Sequence, residues 1–528
     1  MSTIGIDVGG TNTDAVLIES QEVVASVKTT TTEDVTTGIV RALAALVAKV
    51  AGIAETVDAV MIGTTHFTNA VVERKHLSRV AAVRIGLPAS SSLPPFVDWP
   101  EDLAALVRGE VFPIEGGHEY DGRLIVPFDE RGMRNAARRI RESGLRSVAV
   151  ASVFSPLAPD CEEKAREILV EECPEIDVTL SKDVGRIGLL GRENATLLNA
   201  AIIELARRTT RAFALSLKKS GIEAPLYLTQ NDGTVARAGI AEKFPVFSFA
   251  SGPTNSMRGA AFLSGLEDAL VVDVGGTTTD VGCLRSGFPR EANNVVEVGG
   301  VRTLFRMPDL LSIGLGGGSL VEQRGGRIIR VGPRSVGYRL TEKALVFDGD
   351  TLTATDVAVA LGLADLGDRR RVQVDRATLE SARTTMASML EEAVDRMKTD
   401  AAPEPLIAVG GGAFLVPETM AGISEVVHVK HQGVANAVGA AIAQVSGEVD
   451  QVFSGVGREE AIGRATALAR EKAVAGGASA ESLRVVEVED LPLAYLPGDA
   501  LRVRVRVVGE AAAPGGRHPP RAEPSAGA

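Results

Sequence analysis

The sequence predicts an α/β fold built as two related halves, and two observations carry that prediction. First, Asp7-Val8-Gly9-Gly10-Thr11-Asn12-Thr13-Asp14 recurs far downstream as Asp273-Val274-Gly275-Gly276-Thr277-Thr278-Thr279-Asp280, differing only at Asn12/Thr278. Each copy lies between two short apolar runs, which reads as strand, tight turn, strand. Second, strand-like and helix-like segments alternate along much of the chain, as in sheets with helices packed on their faces.

The elements follow in order. Ile4 to Ile6 and Ala15 to Ile18 form the first hairpin. Val57 to Ile62 and Arg79 to Ile85 read as strands, with His66 to Lys75 helical between them. Pro88 to Pro127, richer in Pro, Gly and aromatic residues, reads as an insertion. Charge and periodicity make Glu130 to Ser143 and Asp160 to Glu172 helices, while Ser147 to Val153 and Asp177 to Leu180 are extended. Arg192 to Lys219 is a long helical stretch with one expected break. Pro253 to Leu263 and Arg376 to Lys398 are helical, Ala269 to Val272 and Val281 to Leu284 form the second hairpin, and Leu406 to Val409 is a buried strand. Asn436 to Val445 is a small-residue helix. Glu459 to Ala475, Ser482 to Val488 and Ala500 to Val508 read as a small separate α+β piece whose Leu501 to Val507 strand is half-exposed. The Ala/Pro/Gly-rich tail from Ala511 reads as disordered. The expected division is 1–200 with an insertion near 88–127 and a returning helix at 430–446, then 201–429, 447–510, and the tail 511–528.

Composition narrows the function. The 528 residues suffice for two to four domains at ~100–200 residues each. A formal charge of −12 argues against a nucleic-acid-binding surface or a polybasic membrane patch. Cys161, Cys173 and Cys283 are too few and too scattered for a disulfide framework or a zinc cage, which fits a reducing cytoplasm. No apolar run reaches the ~18 residues of a membrane span, and Met1 to Asp7 lacks the basic start of a signal peptide.

An Asp at the end of a buried strand, followed by Gly-Gly-Thr, suits a polyphosphate. Glycines let the backbone approach phosphates and donate N–H groups. Thr11, Thr13, Thr277 and Thr279 add hydroxyls, and Asp7 and Asp273 offer carboxylates to Mg²⁺ through its waters. Two hairpins, one from each half, would clamp a nucleotide phosphate chain from opposite sides, with Gly9, Gly10, Thr11, Asn12 and Thr13 on one and Gly275, Gly276, Thr277 and Thr278 on the other. Gly410-Gly411-Gly412 follows an apolar strand and offers bare backbone to a base or ribose; a simple helix-start turn explains it as well. Gly314 to Ser319 is a loop near a ligand or a hinge. His428 and His431 lack a third ligand nearby and read as a strand-edge pair. Helix capping explains Glu193-Asn194 and Asn231-Asp232 as well as substrate contact does.

Together these motifs resemble the phosphate-1, phosphate-2 and adenosine motifs of the sugar kinase, heat-shock ATPase and actin superfamily. Within it, the chain resembles the hydantoinase A and oxoprolinase family, through both Asp-Val-Gly-Gly-Thr motifs, Gly63-Thr64-Thr65 with Thr68-Asn69-Ala70 and Glu73-Arg74, Ser251-Gly252-Pro253, and Ile313 to Ser319. The resemblance implies two actin-like, ribonuclease H-like domains around a nucleotide cleft. It places connecting helices at Asn194 to Ile202 and Asn436 to Ala443. It also implies an ATP- and Mg²⁺-dependent, ring-opening amidohydrolase subunit that phosphorylates the carbonyl oxygen of a cyclic amide or related carbonyl before hydrolysis or carboxylation, and that works in an oligomer with a second subunit, hydantoinase B-like or another neighbouring gene product. Departures fall at His66-Phe67, Thr254-Asn255-Ser256 and Asp309-Leu310-Leu311, in segments expected to face the substrate; His66, Asn69 and Asn231 are the candidate substrate contacts. A small-molecule kinase with Asp232 as general base, and a nucleotide-switched ATPase acting on a protein, are the alternatives.

Overall fold

The computed structural model describes residues 1–9, 12–30, 35–50, 52–292, 296–324, 327–494 and 499–512. Three larger sheets carry an α/β fold with mixed strand directions. The first has nine strands, in the order Arg484–Pro492, Leu501–Gly509, Val445–Phe453, Val235–Arg237, Leu226–Thr229, Ala59–Thr64, Ser2–Val8, Asn12–Glu19 and Glu22–Thr30. The second contains Phe288–Pro289, Thr279–Arg285, Ala269–Val274, Glu404–Val409 and Ile423–His428, with Leu310–Ile313 also pairing Thr279–Arg285. The third has four strands, all parallel: Arg108–Glu115, Val80–Leu87, Ser147–Ser152 and Asp177–Leu180.

The duplicated motif produces the same local topology twice. Ser2–Val8 pairs antiparallel with Asn12–Glu19 and parallel with Ala59–Thr64. Ala269–Val274 pairs antiparallel with Thr279–Arg285 and parallel with Glu404–Val409. Continuous burial of Ile4, Ile6, Ala15 and Leu17 under Ile39, Leu43 and Leu46 explains the near-unbroken apolar runs of the first copy.

Four expectations change. Pro88 to Pro127 is not a plain insertion, because it supplies an edge strand, Arg108–Glu115, to the parallel sheet. The long helix runs unbroken over Leu189–Lys219, about 46 Å, because its two ends belong to two cores: Leu197 and Leu198 pack among one, Phe213 and Leu217 among the other. The C-terminal strands are not a separate piece; they extend the nine-stranded sheet. Ala461, Ala465, Ala469 and Ala473 form a four-residue stripe that lets helix Arg458–Ala475 lie close on Val503, Val505 and Val507. Leu501–Gly509 is also not half-exposed. Its alternate residues Arg504 and Arg506 are 7% and 8% exposed, covered by Glu291, Glu448 and Glu487. Of the expected disordered tail, 513–528 lies outside the described residues.

The chain passes between the first and second sheets twice, through helices Ser251–Ser264 and Ala435–Ala441. These helices cross at glycines. A Cβ on Gly259 would overlap the Ala435 carbonyl, and one on Gly439 the Asn255 carbonyl. The crossing partner of the Asn436 to Ala443 segment is therefore Ser251–Ser264, not Asn194 to Ile202, which is buried among Phe67, Val71, Ala149 and Leu228. Among the described residues no helix is long and apolar enough to cross a membrane.

Candidate functional site

The repeated motif begins and ends with Asp, and the hairpin register sets those two residues opposite one another. Asp7 faces Asp14, and Asp273 faces Asp280. Directly opposed residues share a sheet face, so each hairpin presents a pair of carboxylates. Asp7 is not at a solvent-facing strand end: it is 4% exposed. Its Oδ2 accepts from Asn436 Nδ2 at 2.9 Å, and Asn255 Nδ2 lies 3.5 Å from Oδ1. Both asparagines come from the crossing helices. A side chain at Gly63, in register with Asp7, would press on Oδ1, so this glycine makes the room that the carboxylate occupies.

The electrostatics of the four carboxylates are unbalanced. Burial, then Asp14, pushes the Asp7 carboxyl up to about 7, against the two asparagine donors. Asp14 is raised by burial, with Lys28, whose Nζ is 2.8 Å away, and Asn436 opposing, and among the described residues its buried Oδ1 has no hydrogen-bond partner. Asp273 is raised by burial, with the Ser256 hydroxyl and Lys28 opposing and Asp14 adding. Burial raises Asp280 to about 6, the Ser312 hydroxyl opposing and Asp273 adding. The two hairpins are joined through helix Ser251–Ser264, whose Asn255 reaches Asp7 and whose Ser256 reaches Asp273, and burial with carboxyl–carboxyl repulsion favours the protonated forms in the absence of a cation. An all-oxygen, anion-rich donor set with an orphaned carboxylate oxygen fits Mg²⁺, a hard cation.

The turns behave less simply than expected. Gly9 N–H donates to Asn12 O at 3.0 Å and Gly275 N–H to Thr278 O at 2.9 Å, so both amides close the turn itself. Gly10 and Thr11 lie outside the described residues. Thr13 is fully buried, and the Thr279 hydroxyl donates to Leu315 O at 2.7 Å. Asn12 is half-buried, and Thr277 and Thr278 are exposed. The 314–319 loop has a definite place: Gly317 N–H and Gly318 N–H donate to Gly275 O and Gly276 O, bracing the back of the second turn. Gly410, at φ +90°, lies so close to Asp273 that a Cβ there would overlap its Oδ1. Gly412 N–H donates to Val274 O at 2.8 Å, while Gly411 faces open space.

The other expected residues divide. His66 and Asn69 sit on helix His66–Val72, which starts beside Thr64 and Thr65 at the end of the strand paired with Asp7. His66 is half-buried, with its pKa lowered by burial and by neighbouring His76 and Arg208; Asn69 is exposed and donates to Thr65 Oγ1 at 3.3 Å. The Ser251 hydroxyl bonds both the Thr64 N–H and C=O, tying this segment to the first crossing helix. Asn231, by contrast, is spent on structure: its amide donates to Val246 O and Arg306 O and accepts from Ala250 N–H. Asp232 lies in the ion-pair network of the C-terminal strands, away from the carboxylate cluster. Burial raises it, but Arg306 and Arg506, 3.5 and 3.7 Å away, hold it below the usual carboxylate range. Glu193 and Asn194 are not caps either; Glu193 pairs with buried Arg84, and Asn194 accepts from the Trp99 indole at 2.8 Å.

Sequence reasoning missed Asp14, Asp280, Lys28, Asn255, Ser256 and Asn436. The first two were signalled by the motif, which has an Asp at each end. The others join the cluster only through tertiary packing.

Comparison with known proteins places the chain in a family. The model of the hydantoinase/oxoprolinase N-terminal region matches residues 3–173, and the hydantoinase/oxoprolinase model matches residues 192–368. Caprolactamase subunit alpha of Pseudomonas jessenii is 27% identical over 434 residues, covering 74% of this chain and 59% of that protein. Acetophenone carboxylase gamma subunit of Aromatoleum aromaticum is 26% identical over 397 residues, covering 69% and 53%. The chain thus spans little more than half the length of these relatives. The crystal structure of the ATP-dependent caprolactamase from Pseudomonas jessenii superposes with a TM-score of 0.75 at 20% identity, over 96% of this chain and 87% of that one. The nucleotide-free acetone carboxylase gives 0.68 at 17% identity, over 96% and 88%.

Proposed function

The chain belongs to the hydantoinase/oxoprolinase family, and from that premise we propose that it is the ATP-using subunit of a ring-opening amidohydrolase. The observation that carries the reading is the convergence of Asp7, Asp14, Asp273 and Asp280 from two duplicated hairpins on either side of the helix crossing. In this reading Asp7 and Asp273 hold Mg²⁺ through its waters, with Asp14 and Asp280 behind them. When bound, the ion neutralises phosphate charge during transfer.

The chain's own residues then have distinct tasks. Asn436 and Asn255 keep the Asp7 carboxylate aimed. In the second turn, Gly275 and Gly276 leave backbone open to the phosphates while the exposed Thr277 and Thr278 offer hydroxyls. Gly411 offers bare backbone to the nucleoside, and Lys28 moderates the charge on Asp14. A cyclic amide is a poor electrophile; phosphorylation of its carbonyl oxygen by ATP releases ADP and activates the ring carbon, water adds to that carbon, the ring C–N bond breaks as the nitrogen takes a proton, and a second water releases phosphate from the acyl phosphate. His66 and Asn69, beside Thr65, are proposed to face the substrate. The kinase reading needs a free carboxylate base, and Asp232 is engaged by two arginines, which favours the amidohydrolase.

Two of the named relatives, caprolactamase subunit alpha and acetophenone carboxylase gamma subunit, are subunits of larger enzymes, which supports a separate second subunit here. The test is ADP and phosphate release against lactams, hydantoins, ketones and hydroxy acids, with and without neighbouring gene products. A phosphorylated product would favour the kinase; an opened ring with free phosphate supports the amidohydrolase.

A further inference from the structure

At the carboxyl end of the four-stranded parallel sheet, two loops bring together residues far apart in sequence. His118 follows the edge strand Arg108–Glu115, and Asp160 and Cys161 begin helix Asp160–Glu172. One ligand atom from each lies within 4.8 Å of the other two. We propose that His118, Asp160 and Cys161 form a binding site for a zinc-class divalent cation, separate from the ATP site.

The three side chains are held before any ion arrives. Gly116 and Gly117, at φ +136° and +85°, fold the loop back over the sheet end. The His118 N–H then bonds Val153 O, and the Gly117 C=O accepts from Ile125 N–H. Cys161 is 2% exposed and fixed in the first turn of its helix. The His118 side chain is 5% exposed, and its Nε2 lies 3.2 Å from Asp160 Oδ1. Its other nitrogen, Nδ1, is buried without a hydrogen-bond partner among the described residues. The imidazole is therefore not spent on the fold's own hydrogen bonds beyond its contact with Asp160, which leaves Nε2 available as a ligand.

The donor chemistry selects the ion. Bonds of about 2.0–2.3 Å around a tetrahedral centre put neighbouring ligand atoms roughly 3.3–3.8 Å apart, close to the observed nitrogen–oxygen separation. Imidazole, thiolate and carboxylate together suit zinc or cobalt; magnesium and calcium prefer oxygen alone. On binding, the Cys161 S–H bond breaks, the sulfur bonds the metal and the proton leaves to solvent. The Asp160 carboxylate is 67% exposed, so a fourth position remains open to water on that side.

The test uses the full chain, stripped with a chelator and then titrated with Zn²⁺ and separately with Co²⁺. The wild type is expected to retain about one tightly bound zinc per chain. Its cobalt form should show tetrahedral bands and a thiolate charge-transfer band. Cys161→Ser should lose the charge-transfer band, and His118→Gln should weaken zinc binding at least ~100-fold. Asp160→Asn, at the surface, guards against misfolding of the buried variants and should weaken binding ~10-fold or more. ATP binding unchanged in the variants separates this site from the proposed function. A wild-type chain that binds no zinc, or a Cys161→Ser chain with the wild-type cobalt spectrum, would overturn the proposal.

Discussion

Asp7 and Asp14 stand directly opposite one another across an antiparallel hairpin, both almost wholly buried, with Lys28 Nζ 2.8 Å from the Asp14 carboxylate. Like charges in that position destabilise a sheet. The fold sets two carboxyls against each other in both copies of the motif, and burial keeps them toward their protonated forms, which supports the proposed cation site.

Replacing Asp7 with Asn should separate function from stability. The native carboxyl holds its proton up to about pH 7, whereas the unfolded one releases it near 3.8. The native state thus binds the extra proton in that window, and stability from Asp7 falls as pH rises from about 4 to 7. Asp7→Asn removes that loss: Tm at pH 8 should rise by at least roughly 2–4 °C, and the gain should vanish below pH 4. ATP turnover should drop on the order of 100-fold. Thermal melts across pH, paired with an ADP assay, check both.

The three consecutive glycines after Glu404–Val409 should not be equivalent. Gly410→Ala forces a side chain into the left-handed region and onto Asp273, and should cost about 1–3 kcal/mol together with ATP turnover. Gly411→Ala meets nothing within 4 Å and should leave the melt unchanged while raising the KM for ATP. Equal effects at both positions would count against nucleotide lying on this loop.

Nucleotide should draw the halves together about the crossing of Ser251–Ser264 and Ala435–Ala441. Solution scattering is expected to give a smaller radius of gyration with Mg²⁺ and a non-hydrolysable ATP analogue. Gly439→Ala, which overlaps the Asn255 carbonyl, should blunt that change or lower Tm. A radius unaffected by saturating nucleotide would argue against hinged closure.

Much of this was legible in the residues. Helix Glu130–Ser143 is readable to its ends because Asp129 caps its start and Gly144, in the left-handed region, stops it. The duplicated motif announced two hairpins, whereas the pairing of its terminal aspartates emerges only with the hairpin register. What stayed hidden depends on distant packing. Nothing local to Leu501–Gly509 says that it pairs with Val445–Phe453 in the sheet of the N-terminal hairpin. Nothing in Asn255 or Asn436 signals Asp7 as their partner, because the helix crossing alone creates those bonds. Asp232 looked like a free base until Arg306 and Arg506, from remote segments, were placed against it.

The central claim is that this chain spends ATP to activate a ring carbonyl that a second subunit then opens. The direct measurement is the ratio of ADP and phosphate formed to rings opened, for the chain alone, the co-expressed neighbour alone and their mixture. The account predicts equimolar ADP, phosphate and opened ring from the mixture, and loss of all three with Asp7→Asn. Ring opening by the isolated chain at the mixture's rate, or opening that proceeds without ATP, would contradict it.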